Sequence, residues 1–161
     1  MIDLLKRFGD RRPEYAKVYR EPIINRFTIV GREDEDARYE SGKYFSRIYE
    51  TYMYAAILGL RRDCFMPLSD MDSAYFIEIR SWQPREMVQY LFMALLAKSE
   101  LDLTTLEEME EKQVEAELTK LSHLLEGYAN GGFDIIQAKM KDDPMFFEGE
   151  YCFVEFLEEI A

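Results

Sequence analysis

From residue 43 onward, apolar residues return at spacings of three and four, the period of a helix with one buried face. Phe45, Ile48, Tyr49, Tyr52, Met53, Ala56 and Leu60 form one such stripe and predict a helix over 43–60, with Gly59 near its end. Pro84 suits a helical first turn. Behind it Met87, Val88, Leu91, Phe92, Leu95 and Leu96 predict a helix apolar around most of its girth, and therefore central. Thr104 or Thr105 is the expected cap of the next helix, whose first turn places Glu107 and Glu108 at the positive end of the helix dipole. Its inner face reads Val114, Leu118, Leu121, Leu125 and Tyr128. The pattern predicts a stop at Asn130, Gly131 and Gly132, residues that readily take the left-handed conformation of a helix end. A shorter helix from 133 to about 141, closed by Asp142, Asp143 and Pro144, and a last amphipathic segment over 151–160 complete the chain.

The first forty residues are patterned differently. Pro13 and Pro22 interrupt any long helix, and 23–30 is a short β-like apolar run. The stretch 31–42 is charged, flanked by glycines and almost free of apolar residues, so it predicts a solvated loop. Residues 61–84 predict a connection carrying one short strand or helix around 75–79. The expected architecture is mainly α: a single-domain bundle of five or six helices with an irregular N-terminal arm that leaves room for a short strand. Residues 1–42 form the arm and charged loop packed on the same domain, and 43–161 form the bundle.

Composition narrows the class. A chain of 161 residues is the size of one domain and buries roughly 70% of its unfolded surface. Charge is unevenly spread along it. Residues 1–62 carry 13 Lys and Arg against 10 Asp and Glu, whereas 63–161 carry 7 against 22, giving −12 overall. The acidic half disfavours direct contact with a phosphate backbone and suits a basic partner. Cys64 and Cys152 lack zinc or redox spacing and read as buried thiols. Asp3 and Lys6 break any signal-peptide core, and no run approaches a membrane span of about 20 apolar residues. The expectation is a cytoplasmic protein.

Candidate chemistry is sparse. His123 is the only histidine, which excludes a two-imidazole metal site within one chain, and no Gly-x-Ser-x-Gly elbow accompanies it. A surface or boundary position on its helix is expected. Asp70 and Asp72 lack the glycine and distal glutamate of a calcium loop, and Gly31, Gly42 and Lys43 are misspaced for a phosphate loop. No motif calls for a cofactor or metal, and the chain is not expected to be an enzyme. Trp82 is expected to anchor the core.

What remains points to contacts with other proteins. Glu107, Glu110, Glu111 and Glu115, on a helix that also carries Glu108 and Glu117, form a solvated face and a candidate acidic docking surface. Phe146 and Phe147, close to Tyr151, Phe153 and Phe156, are candidate partner contacts to the extent that the bundle leaves them exposed. Arg11, Arg12, Arg61 and Arg62 would form a basic patch able to reach nucleic acid if the arm packs near the end of the first long helix; an electrostatic match to the acidic helix is the simpler reading. A homo-oligomer stays open.

Two stretches, ETYMYAAILGLRRD at 50–63 and LEGYANGGFDII at 125–136, together resemble small accessory proteins associated with bacterial DNA phosphorothioation (Dnd-type) modification and restriction islands. The matching residues are Ala55, Ala56, Leu58 and Gly59, then Tyr128, Ala129, Asn130, Gly131 and Gly132, and all are structural by their chemistry: small residues allow close helix contact, and Asn-Gly-Gly would reverse the chain. The resemblance implies a non-catalytic helical protein working beside DNA-modifying or restricting enzymes and supplies no catalytic residues. The alternatives are an acidic DNA-mimicking inhibitor of a nucleic-acid enzyme, and an enzyme of unrecognised type, which would need a pocket gathering His123 or a carboxylate pair.

Overall fold

The computed structural model describes residues 3–28, 44–69 and 71–159. The charged stretch expected as a loop at 31–42 and Asp70 lie outside the described residues. The molecule is mainly α. In chain order the elements are α1 (Leu4–Gly9), β1 (Glu14–Ala16), α2 (Ile48–Arg61), β2 (Ser73–Tyr75), α3 (Arg85–Lys98), α4 (Glu111–Asp142) and α5 (Cys152–Glu158). Short 3-10 turns over Lys17–Tyr19, Ile79–Ser81, Leu103–Glu108 and Phe146–Glu148 join them.

The axis of the fold is α4, whose 32 residues span about 48 Å at helical rise. The stop expected at Asn130-Gly131-Gly132 does not occur, and the two helices expected around it are one. The reason is tertiary. Facing it antiparallel is α2, with Ala55 opposite Gly132 and Gly59 opposite Tyr128, and a Cβ on Gly132 would overlap the Ala55 carbonyl and lie 2.8 Å from its Cα. These small residues let two backbones touch. Gly59 is therefore interior to α2, whose end is made by Asp63 in the left-handed region at φ 49°.

The capping residues also differ from expectation. Asp102, not a threonine, caps the turn that holds Glu107 and Glu108, its side chain accepting from the Thr104 amide. The long helix starts later, with a capping box: the Glu110 side chain accepts from the Gln113 amide, while Gln113 Oε1 accepts from the Glu110 N–H at 3.0 Å. Pro84 stands just before α3 rather than in its first turn.

The N-terminal segment belongs to the same core. Phe8, Tyr19, Ile23, Ile24 and Phe27 are all buried. Residues 20–25 form a wide π-type turn where the described part of the run 23–30 is expected as a strand, Ile23 and Ile24 fall on its inner side, and residues 29–30 lie outside the described residues. The strand lies earlier. β1 pairs antiparallel with β2 in the register Glu14 to Tyr75, Tyr15 to Ala74 and Ala16 to Ser73. Trp82 is fully buried against Tyr52 and Phe76, the core anchor expected of it.

α3 is peripheral, contrary to its expected central place. Val88, Leu91, Phe92 and Leu95 face the core, while Met87, Tyr90 and Met93 face solvent. Among the described residues no helix is long and apolar enough to cross a membrane.

Candidate functional site

Past α2, the chain runs back along α4. The Met66 amide donates to the Gly127 carbonyl at 3.0 Å, and Phe65 lies over Gly127, where a side chain would leave no room for its ring. This places residues 65–69 and 71 beside the start of the two-stranded sheet, and a cleft of about 380 Å³ opens between them and α4. His123 and Glu126, one helical turn apart, form its floor. Glu14 and Ser73 supply the sheet wall, and Phe65, Pro67, Leu68, Ser69 and Met71 the loop wall. A second recess of about 470 Å³ continues past Phe65 and His123 towards Lys98, Glu117 and Lys120.

Glu126 is the unusual member. Its neighbours Leu125 and Gly127 are buried by the core and by Phe65, and Glu126 as a residue is only 7% exposed. Oε2 accepts the Glu14 N–H at 2.6 Å, and the carbonyl of the same Glu14 accepts from the Tyr52 hydroxyl at 2.9 Å. One residue of β1 is thus gripped from α4 and from α2. Burial pushes the Glu126 carboxyl above its usual range, partly opposed by the Glu14 N–H and by His123. Burial likewise pushes the Tyr52 phenol well up, assisted by the charges of Glu126 and Glu14.

A raised carboxyl makes the folded state the better proton acceptor. Its stabilising contribution is complete below the ordinary glutamate value near ~4.3 and is lost as pH rises through the raised folded value. Glu126→Gln keeps an oxygen for the Glu14 N–H and removes that loss. The melting temperature of the variant relative to the parent is therefore expected to improve as pH rises from 4 through the raised value of the Glu126 carboxyl. Thermal unfolding across that series checks it, and parallel curves would show that ionisation of Glu126 carries no penalty.

The glutamates singled out from the sequence are not gathered in this cleft. Glu107 and Glu110 are exposed near the start of α4. Glu111 and Glu115 are engaged within the chain: Arg7 binds both, and Arg11 Nη2 meets Glu115 Oε2 at 2.7 Å. They fasten α1 to α4, which thins the array that a phosphate mimic would need. Phe147 is buried among Phe27, Phe153 and Phe156, and Phe146 is half-buried with Lys139 over its ring. Phe147 is therefore a core residue and not an exposed partner contact, because α5 folds over it.

The arginines do not form one patch. Arg11 meets Glu115, Arg12 donates to the Phe76 carbonyl at 3.1 Å, and Arg62 donates to the Phe156 carbonyl at 2.8 Å while facing Glu159. Glu159 also faces Lys139, so the two pairs sit at points of α4 about 36 Å apart. Arg61 is exposed. Ala55, Ala56, Gly59, Tyr128, Asn130, Gly131 and Gly132 all lie in or beside the α2–α4 contact, and Asn130 Nδ2 donates to the Met66 carbonyl at 2.9 Å. His123 is exposed, and among the described residues no hydrogen bond joins it to a serine or carboxylate. No group of described residues stands close enough to hold a metal ion. Cys64 and Cys152 are free thiols, both pushed up by burial.

Sequence reasoning missed Glu126 and Glu14. The available signal was a single charge inside 124–133, a stretch otherwise apolar, small or amide.

Fold and site together define a mainly α-helical protein built on one long helix, with a carboxylate-floored cleft on its flank. A family model described as DNA sulphur modification system-associated protein 4 matches residues 35–150, and the chain belongs to that family. The family is associated with a DNA sulphur modification system, in accord with the resemblance carried by the Ala-Ala and Asn-Gly-Gly stretches. The match takes in His123, Glu126 and the cleft loop but begins after Glu14. No curated protein and no solved structure matches the chain.

Proposed function

We propose that this protein is a non-catalytic accessory component of a DNA sulphur modification system that acts by binding a protein partner through the outer face of α3. One observation carries the reading: Met87, Tyr90 and Met93 are 38%, 72% and 60% exposed on one side of a helix whose other side fills the core. At helical spacing they form one stripe with Ala94 and Ala97, an apolar face of the kind that marks a contact surface. The net charge of −12 favours a partner whose apolar patch is rimmed by Lys or Arg.

Co-purification from the native host is the test. A partner component is expected to follow the tagged chain at physiological salt and to be lost from Tyr90→Glu/Met93→Glu, whose melting temperature stays within about 2 °C of the parent because both positions are exposed. A chain that always elutes alone, or a partner indifferent to the double variant, would count decisively against the proposal.

A second reading has a specific observation in its favour. The cleft places His123 beside two carboxylates, one of them raised, which is the equipment of acid–base chemistry. Among the described residues no nucleophile is hydrogen-bonded to the imidazole: the Ser73 hydroxyl donates to Glu14 Oε1 at 3.1 Å. Recognition is the better fit.

A further inference from the structure

We infer that the cleft between β1 and α4 is a receptor for a guanidinium group, an arginine side chain presented by the partner protein, which Glu126, Glu14 and the ring of Phe65 would hold. The assignment rests on the partner-binding reading above and gives that partner a chemical signature. It begins from an imbalance. Glu126 is more than nine-tenths buried as a residue and lines the cleft, yet among the described residues only its Oε2 has a hydrogen-bond partner. Glu14 adds a second carboxylate, of which only Oε1 is engaged, by Ser73. A buried carboxylate whose only basic neighbour among the described cleft residues is an exposed imidazole is an unfavourable arrangement that a cationic ligand relieves.

Among the described residues no Lys or Arg lines this cleft. The two lysines of the adjoining recess are engaged elsewhere, Lys120 with Glu117 at 3.0 Å and Lys98 with Asp63 at 3.3 Å. The raised Glu126 carboxyl is what an uncompensated site would show.

The remaining walls select the cation. Phe65 is 44% exposed and is steadied edge-on by Tyr128 at 5.2 Å, so a ring face is available for a planar cation to stack on. Pro67, Leu68 and Met71 offer apolar surface to a three-carbon stem, and a volume of about 380 Å³ admits one long side chain. Two carboxylates beside an aromatic face suit the flat five-donor fork of guanidinium better than the compact, strongly hydrated ammonium of lysine.

The test titrates Nα-acetyl-arginine N-methylamide into the full chain while the His123 imidazole and Phe65 ring resonances are followed by NMR, with the citrulline and lysine counterparts as controls. Saturable shifts are expected with the arginine probe, weaker with lysine and absent with the uncharged citrulline. Glu126→Gln and, independently, Glu14→Gln are expected to weaken binding about tenfold or more, with melting curves confirming that each variant is folded. Absence of saturation at tens of millimolar, equal binding of citrulline or lysine, or unchanged affinity in both folded variants overturns the assignment, as does hydrolysis of the probe. Co-purification separates the two readings. A partner retained by Glu126→Gln but lost from the α3 variant defeats the receptor and leaves the interaction face standing. Arginine binding by a chain that recruits nothing defeats the partner-binding reading, and with it the partner as the source of the arginine, and leaves only the guanidinium site.

Discussion

Gly132→Ala is expected to lower the melting temperature by roughly 6–12 °C, the equivalent of about 3 kcal/mol for a chain of this length. The direction is the informative part. In an exposed helix interior, alanine is better than glycine by about 1 kcal/mol, so an isolated α4 would gain from the change. Here the new methyl group meets the Ala55 backbone, which has no rotamer to give, and α2 must move away from α4 along the whole contact. Gly59→Ala meets the Tyr128 carbonyl from the other side and is expected to behave alike. Asn at 132 separates this from a helix-end role: a left-handed cap accepts asparagine, whereas a buried helix crossing rejects it more strongly than alanine. Chemical denaturation of the three variants decides, and a Gly132→Asn protein as stable as the parent would refute the crossing.

Phe153→Ala is expected to cost about 3–5 kcal/mol, and Phe147→Ala a similar amount. Phe153 touches the rings of Phe27, Tyr44, Phe45, Tyr54 and Phe147, and so joins the N-terminal segment, the entry to α2 and α5 in one cluster. The Tyr54 hydroxyl also donates to the Phe153 carbonyl at 2.6 Å, which ties α5 to the middle of α2. By contrast Met145 and Tyr151, both about two-thirds exposed, are expected to change stability by less than about 0.5 kcal/mol on truncation to alanine. Equilibrium unfolding of the four variants measures this directly. Equal effects across the set would mean that α5 does not seal the core.

The helical period over 48–61, 85–98 and 111–128 was legible because each helix buries a stripe against the others, and burial is what apolar spacing records. The passage through 130–132 was not. Asn and Gly end helices or smooth them for close packing with the same composition, and the choice is made by Ala55 and Gly59, residues about seventy positions away. The run at 23–30 misled for a related reason: a short apolar run is the same for a buried strand and a buried turn. α3 misled by excess. Its all-round apolarity read as centrality, whereas Val88, Leu91 and Leu95 serve the core and Met87, Tyr90 and Met93 face outward. For the site, the acid-rich exterior drew attention to Glu111 and Glu115, which are held by Arg7 and Arg11. The cleft carboxylates lie 112 positions apart in the chain, and only the pairing of β1 with β2 beside α4 brings them together.

The grip of Glu126 on the first residue of β1 makes that strand a built-in gauge. The proton on the Glu14 nitrogen leans on one oxygen of a carboxylate whose other oxygen has no hydrogen-bond partner among the described residues, so charge drawn to that second atom slackens the bond to the first. Any visitor to the cleft is felt at that amide, whose resonance frequency and solvent-exchange rate supply a readout without an attached label.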